Sequence, residues 1–248
     1  MKALILAAGY ATRLRPLTDS IPKQLLPVGG RPMVDWIVDK IGETSAEEVH
    51  LVTNARFAGA FTRWAADKDV VVHDDGTTSN EDRLGAIGDI AFVGLDDDLL
   101  VIAGDNLFDY SLADYEAYWR ARGGSCIAVL DVGDRELAKQ YGIVDVDDDD
   151  RVTAFVEKPG DPPTTLCATA TYLYRREHAR LVPAYLDEGN PSDAPGNFVA
   201  WLHKRAPVYA FRIPGTWYDI GDANQLLEAD NRMRRIRGLP ERTHYSPD

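Results

Sequence analysis

The apolar positions of this chain follow two different rhythms. Over the first half, short unbroken runs at 3–6 (ALIL), 49–53 (VHLVT), 70–73 (VVVH) and 99–103 (LLVIA) read as strands. Between them lie stretches whose apolar residues return every three or four positions. Met33, Trp36, Ile37 and Ile41 share one helical face over 33–42, and further helices are predicted at 55–66 and near 85–91. Strands alternating with helices predict a parallel sheet joined by crossovers, and an unbroken run such as LLVIA fits a strand buried on both faces.

The second half changes character. Strands at 125–132, 141–147, 152–159 and 168–175 follow at close spacing, with Asp147 to Asp150 as a solvated hairpin tip. A metal site there is the alternative, but adjacent carboxylates repel and face water; the same holds for Asp96, Asp97 and Asp98. A helix at 196–204, a strand at 208–213 and a helix at 222–238 close the pattern, and a loose tail is expected after Gly238. The expected architecture is one doubly wound α/β domain. Its sheet is mixed and mostly parallel, flanked by helices.

A length of 248 residues, 45% of them hydrophobic, allows a substantial core. The net charge of −13 argues against nucleic acid and anionic membrane surfaces as partners. A phosphate ligand would therefore need a local basic pocket. Cys126 and Cys167 form no metal-binding pattern, so a reducing, cytoplasmic compartment is expected. The opening residues lack a signal-peptide pattern, and no apolar stretch approaches the length of a membrane span.

Four segments carry candidate chemistry. In LAAGYATRLRPLTDSIPKQLLPV (6–28), Gly9 allows close backbone approach, Arg13 and Lys23 supply charge, and Pro16 and Pro22 stiffen the loop. That pattern suits an anion cradle, though an ordinary strand-to-loop junction reads the same way. Asp105, in VIAGDN just past a strand, is either a ligand for Mg2+ or a cap. Glu157 and Lys158 in FVEKP are either a surface ion pair or a carboxylate for hydroxyls beside an ammonium for phosphate. Asp219 in GTWYDIGD, in a turn shaped by Trp217 and Gly221, is either a second metal carboxylate or a helix cap.

Read in order, LAAGYATRLRPLT, PKQLLPVGGRPM, VIAGDN, YGIV, VEKP and WYDIGD resemble the sugar-nucleotide nucleotidyltransferases. That family includes glucose-1-phosphate thymidylyltransferases and related pyrophosphorylases, and the likeness runs from residue 3 to about 230. It implies a single Rossmann-like domain over 1–240 with an inserted sugar-binding β-subdomain, divided into a nucleotide-binding half over about 1–124 and a sugar-phosphate half over about 125–240. It carries Arg13 and Lys23 to triphosphate binding and catalysis, and Asp105 and Asp219 to Mg2+. The nucleotide would meet Leu6, Ala7, Ala8, Gly9, Tyr10, Ala11, Thr12, Asn80, Arg83, Gly85 and Asp105. The sugar phosphate would meet Gly142, Glu157, Lys158 and Tyr172. A homodimer is the family habit.

Two departures stand out. Ala11 replaces the second glycine of the family's G-x-G-[TS]-R loop, which is tolerable if the position keeps a negative φ. The base-reading segment DDGTTSNEDRLGAIGDI (74–90) lacks the family's Gln. Asn80 and Arg83 are candidates to read a base instead, Arg83 on a guanine O6/N7 edge, unless Arg83 pairs locally with Glu81 or Asp82. The expected reaction is NTP plus sugar 1-phosphate giving NDP-sugar and pyrophosphate, with dTTP or UTP and a hexose 1-phosphate by default. A guanylyl- or cytidylyltransferase using a sugar, cyclitol or other phosphate is the alternative. From another class, a regulatory protein that binds nucleotide or sugar phosphate without turnover also fits.

Overall fold

The computed structural model describes residues 1–247. β1 (Lys2–Leu6) opens the chain and leads through two single-turn 3-10 helices (Thr12–Leu14 and Lys23–Leu25) to the short pair β2 (Pro27–Val28) and β3 (Arg31–Pro32). α1 (Met33–Ile41), β4 (Glu48–Thr53), α2 (Ala58–Trp64) and β5 (Val70–Asp74) follow. Next come α3 (Ala86–Val93), β6 (Leu99–Ala103), β7 (Asn106–Phe108) and α4 (Leu112–Ala121). The second half runs through β8 (Ser125–Asp131), α5 (Arg135–Ala138), β9 (Gly142–Val146), β10 (Val152–Glu157) and β11 (Leu166–Tyr174). It closes with α6 (Arg176–Ala179), α7 (Val182–Asp187), α8 (Gly196–Leu202), β12 (Val208–Arg212), β13 (Trp217–Asp219) and α9 (Ala223–Ile236).

β5, β4, β1 and β6 lie side by side and parallel, in the order expected of a Rossmann-like half. β11 joins β6 antiparallel and carries the rest of the sheet. β9 and β10 extend it on one branch, and β8 with β12 on the other. Successive residues of β1 and β6 serve opposite faces. Leu4, Leu6, Leu99 and Val101 pack toward α3, α7 and α8, whereas Ala3, Ile5, Leu100 and Ile102 pack toward α1, α2 and α4. Burial on both faces explains why these strands read as unbroken apolar runs.

Helix caps settle two of the open alternatives. α9 is capped by Asp222, whose side chain accepts from the Asn224 and Gln225 N–H groups while Gln225 returns a bond to the Asp222 N–H. Asp219 is therefore free of that duty. Asp105 precedes a strand rather than a helix, so it caps no helix. The Asp147–Asp150 segment is a hairpin turn, Asp147 accepting from the Asp149 and Arg151 N–H groups at 3.0 Å. Asp96 is held by Arg176 and Arg180.

The segment after Gly238 departs from expectation. Instead of hanging loose, it folds back on α9. Asn231 exchanges hydrogen bonds with the Arg242 backbone at 2.7 and 2.8 Å, and the Tyr245 hydroxyl donates to the Pro27 carbonyl at 2.9 Å. Its polar composition hid this, because the partners are single groups on distant elements rather than an apolar face. Asp248, part of the same expected tail, lies outside the described residues. Among the described residues, no helix is long and apolar enough to cross a membrane.

Candidate active site

β1 and β6 end side by side, Leu6 against Ala103, so the loops that follow leave the sheet at one place. Below them opens a cavity of about 490 Å³. Leu6, Ala8, Gly9, Ala11, Arg13 and Lys23 line it from the opening loop, with Asp105 and Asp219 beside them. Arg83 and Gly85 line a second wall; Gly142, Glu157, Lys158 and Tyr172 line a third. Ala7, Tyr10, Thr12 and Asn80 do not reach it. Tyr10 is buried, its hydroxyl 3.3 Å from Thr77 Oγ1, and Thr12 and Asn80 face solvent.

The opening loop keeps its turn at a conformational cost. Ala11 adopts φ +46° rather than the negative φ expected of an alanine there. A non-glycine residue in this region costs about 1–2 kcal/mol. Its carbonyl offsets part of that cost by accepting from the Thr18 hydroxyl at 2.9 Å and the Leu14 N–H at 3.1 Å. The loop thus holds at Ala11 a positive φ that favours glycine.

Lys23 is only 9% exposed. Its Nζ donates to Asp105 Oδ2 at 2.7 Å and to the Ile220 carbonyl at 2.8 Å. Asp105 Oδ1 accepts from Asn106 Nδ2 at 2.9 Å. Burial alone would push the Asp105 carboxyl up, but the Lys23 charge and these hydrogen bonds outweigh it and hold it below the ordinary value. Asp219 pairs in register with Asn106 across β13 and β7, which brings it to Asp105. Burial and then the Asp105 charge push Asp219 up to about 6, against the pull of Lys23, Lys158 and Arg13. Among the described residues no group of three His, Cys, Asp or Glu side chains gathers as a ready-made metal cage. Two repelling carboxylates still fit Mg2+, whose hard oxygen preference leaves its other positions to water and phosphate.

The third wall is shaped by two glycines. A Cβ on Gly142 would sit 2.5 Å from Phe155 Cζ and 3.0 Å from Glu157 Oε2. One on Gly196 would sit 2.4 and 2.7 Å from the same atoms. Glu157 thus occupies a slot that only glycines leave open, and burial pushes its carboxyl up. Lys158 follows with φ +45°, its ammonium 4.0 Å from Glu157 Oε1 and largely exposed. Tyr172 is buried in β11, stacked on Tyr174 at 5.7 Å between ring centres.

Arg83 is engaged by a distant carboxylate. Its Nε and Nη2 form a fork on Asp193 at 3.0 and 2.8 Å, and Nη1 donates to the Asn80 carbonyl. Its ion pair is thus with Asp193 rather than with the expected Glu81 or Asp82, and Asp82 instead accepts from the Thr78 and Ser79 N–H groups. Asp193 lies 110 positions away, beyond any local pattern. Other lining residues escaped the sequence reading: Gln24, Asp89, Asp193 and Gly196. Gln24 and Asp89 sit inside segments that were read for other residues. Asp193 and Gly196 belong to a segment with no motif.

Known proteins resemble this chain over most of its length. The chain matches the family described as nucleotidyl transferase over residues 2–235. It is 28% identical to a low-salt glycan biosynthesis nucleotidyltransferase of Haloferax volcanii, covering all of this chain and 70% of that protein. It is 27% identical to a UTP–glucose-1-phosphate uridylyltransferase of Synechocystis, covering 98% of this chain and 64% of the other. With a mannose-1-phosphate guanyltransferase of Pichia angusta it shares 28% identity over 92% of this chain and 62% of that one. The chain thus spans about two thirds of the length of these relatives. Among solved structures, a Bacillus anthracis protein described as a glucose-1-phosphate thymidylyltransferase superposes with a TM-score of 0.77. It is 26% identical, and the match covers 94% of this chain and 95% of that one. An apo UDP-glucose pyrophosphorylase, at 21% identity and TM-score 0.79, shares the fold over 96% of this chain and 99% of its own. The motifs, the sheet order and the match across nearly the whole chain agree: this chain belongs to the nucleotidyl transferase family.

Proposed function

We propose that this protein transfers a nucleoside monophosphate from an NTP to a sugar 1-phosphate, releasing NDP-sugar and pyrophosphate. One observation carries the reading: Arg13, Lys23, Asp105 and Asp219 share a single cavity with Glu157 and Lys158. The first four suit a triphosphate and the last two a phosphorylated sugar, with the nucleotide half over about 1–124 and the sugar-phosphate half over about 125–240.

A phosphate monoester has a second pKa near 6, so at neutral pH the acceptor is already mostly dianionic. Its oxygen attacks the α-phosphorus, the bond from that phosphorus to the β-phosphate oxygen breaks, and the electron pair leaves with pyrophosphate. No proton has to move, which is why no general base is required. The protein's work is to align two anions and screen their repulsion. Arg13 stabilises charge developing on the transferred phosphoryl group and on pyrophosphate. Lys23 fixes Asp105 and adds positive charge at the triphosphate end. Lys158 aims the acceptor phosphate, and Glu157 accepts from ring hydroxyls. Asp105 and Asp219 would hold Mg2+, which supplies neutralising charge between the phosphates when bound. The two buried, free cysteines support a reducing compartment, and the proposal places the protein in the cytoplasm as a homodimer.

The test is pyrophosphate release with Mg2+, crossing nucleoside triphosphates against sugar and cyclitol 1-phosphates. Release that depends on both substrates supports the transferase. Nucleotide binding with no release from any pair would favour the regulatory reading instead.

A further inference from the structure

The cavity's remaining wall is built from Arg83, Gly85, Ala86, Asp89 and Asp193. Gly85 and Ala86 bring no polar side chain. Asp89 is 4% exposed, and its carboxyl is spent on the neighbouring Asp75. Both oxygens of Asp193 accept from Arg83, one from Nε at 3.0 Å and one from Nη2 at 2.8 Å. The donors of this wall therefore belong to Arg83.

A guanidinium carries five N–H donors in one plane. Arg83 spends one on Nε and one on Nη2 at Asp193, and one on Nη1 at the Asn80 carbonyl at 2.9 Å. Among the described residues it has no further partner, so one hydrogen is left on each of Nη1 and Nη2. The Asp193 fork uses the Nε side of the group, and the second Nη2 hydrogen points along its outer end. Three hydrogen bonds to two separate segments hold the plane in place before any ligand arrives. The Asp193 charge offsets that of Arg83, so the pair presents directed N–H groups rather than net charge. The Ala86 and Ile87 N–H groups donate to the Asp193 and Ser192 carbonyls at 3.2 and 2.9 Å, which fixes Asp193 in turn.

The inference rests on the reading proposed above, in which the cavity takes a nucleoside triphosphate. The phosphates then occupy the wall of Arg13 and Lys23, the sugar phosphate occupies that of Glu157 and Lys158, and the base is left to the Arg83 wall. We propose that Arg83, held by Asp193, selects the base, favouring one with two adjacent hydrogen-bond acceptors over uracil, thymine and adenine. Guanine has such a pair in O6 and N7, the edge an arginine reads in nucleic acids. Cytosine has one in O2 and N3. Uracil and thymine place N3–H between their two oxygens, so the second donor of Arg83 would meet a donor. Adenine sets its 6-amino donor beside both N1 and N7 and fails for the same reason.

The test measures binding by calorimetry and pyrophosphate release together. It uses GTP, inosine triphosphate, 7-deaza-GTP, CTP, UTP, dTTP and ATP, with pyrophosphate alone as a control that has no base. The wild type is expected to bind GTP or CTP about tenfold or more tighter than UTP, dTTP and ATP. A CTP preference assigns the cytosine edge. A GTP preference assigns the guanine edge; it should persist with inosine triphosphate, which keeps O6 and N7, and vanish with 7-deaza-GTP, which lacks N7. Arg83→Lys keeps the charge but not the fork, so it should bring all the triphosphates within about twofold of one another and leave pyrophosphate binding unchanged. The assignment is overturned if UTP, dTTP or ATP binds the wild type as tightly as the better of GTP and CTP, a comparison that needs no variant. It is equally overturned if 7-deaza-GTP keeps the affinity of a preferred GTP. The same holds if Arg83→Lys retains the preference, or weakens every triphosphate and pyrophosphate alike. A base preference with no turnover from any acceptor would sink the transferase reading while leaving the base assignment in place, and turnover without a base preference would do the reverse.

Discussion

Lys23 Nζ lies 2.7 Å from Asp105 Oδ2 and 2.8 Å from the Ile220 carbonyl, so one buried ammonium ties the turn after β6 to the turn after β13. Those turns carry the carboxylates proposed to hold Mg2+. Lys23→Ala strips Asp105 of its counter-charge and leaves it facing Asp219. The expected cost is about 1–3 kcal/mol of stability, read by denaturant unfolding. The expected loss in kcat/KM is about 10²–10³-fold. Full activity in a folded variant would remove Lys23 from the mechanism.

Arg13 lines the same cavity, beyond Gly221 and close enough to pull on Asp219. Its proposed role is to meet charge that develops only during transfer. Arg13→Ala should therefore lower kcat about 10²–10³-fold while the KM for sugar phosphate changes little. Arg13→Lys should recover only part of this, because an ammonium lacks the planar fork. A rise in KM with kcat intact would mark Arg13 as a binding residue only.

Gly142 and Gly196 leave the slot that holds Glu157 and Phe155. An added methyl at either position must displace them, and overpacking of this kind costs about 1–3 kcal/mol. Gly196→Ala, with the closer contact at 2.4 Å, should raise the KM for sugar phosphate about tenfold and leave nucleotide affinity unchanged. Steady-state kinetics with each substrate varied in turn would show the split. Equal loss on both substrates would contradict the division of the cavity into separate walls.

Asp89 makes stability depend on pH in a direction opposite to that of a salt-bridged carboxylate. Burial and the Asp75 charge raise it from 3.8 in the unfolded chain to about 7 in the folded one. The folded protein holds this proton more tightly, so its contribution is complete below about pH 4 and is lost as pH rises through 7. Relative to Asp89→Asn, the wild type should lose on the order of 4 kcal/mol between pH 4 and pH 8. Urea unfolding of both proteins across that range measures it. Parallel curves would show that Asp89 does not hold its proton more tightly in the folded protein.

What the sequence revealed followed the kind of interaction involved. The runs at 3–6, 49–53 and 99–103 were legible because strands buried on both faces are written in apolar residues. α4 was missed: Leu112, Tyr115 and Trp119 are buried, but Glu116 shares their side of the helix, bonded to Ser45 and Arg120, and interrupts the apolar stripe. β7 and β13 are too short to carry a pattern, yet their pairing sets Asp219 against Asn106. Within the cavity, the charged motif residues Arg13, Lys23, Asp105, Glu157, Lys158 and Asp219 are lining residues, whereas Asp193 and Gly196, placed by a long-range fork and a steric slot, lie in a segment with no motif. Asp193 answers to Arg83, and Gly196 to Phe155. Neither relation leaves a trace in local spacing. Ala11 shows the reverse case, a positive φ at a residue whose type predicts a negative one.

The most direct test of the account is the fate of the α-phosphate. An NTP labelled there would be incubated with Mg2+ and a set of sugar 1-phosphates, and the products separated. The account predicts that the label enters an NDP-sugar, with one pyrophosphate released for each molecule formed and none without the acceptor. Label that stays in NTP, or emerges as free NMP, would contradict it.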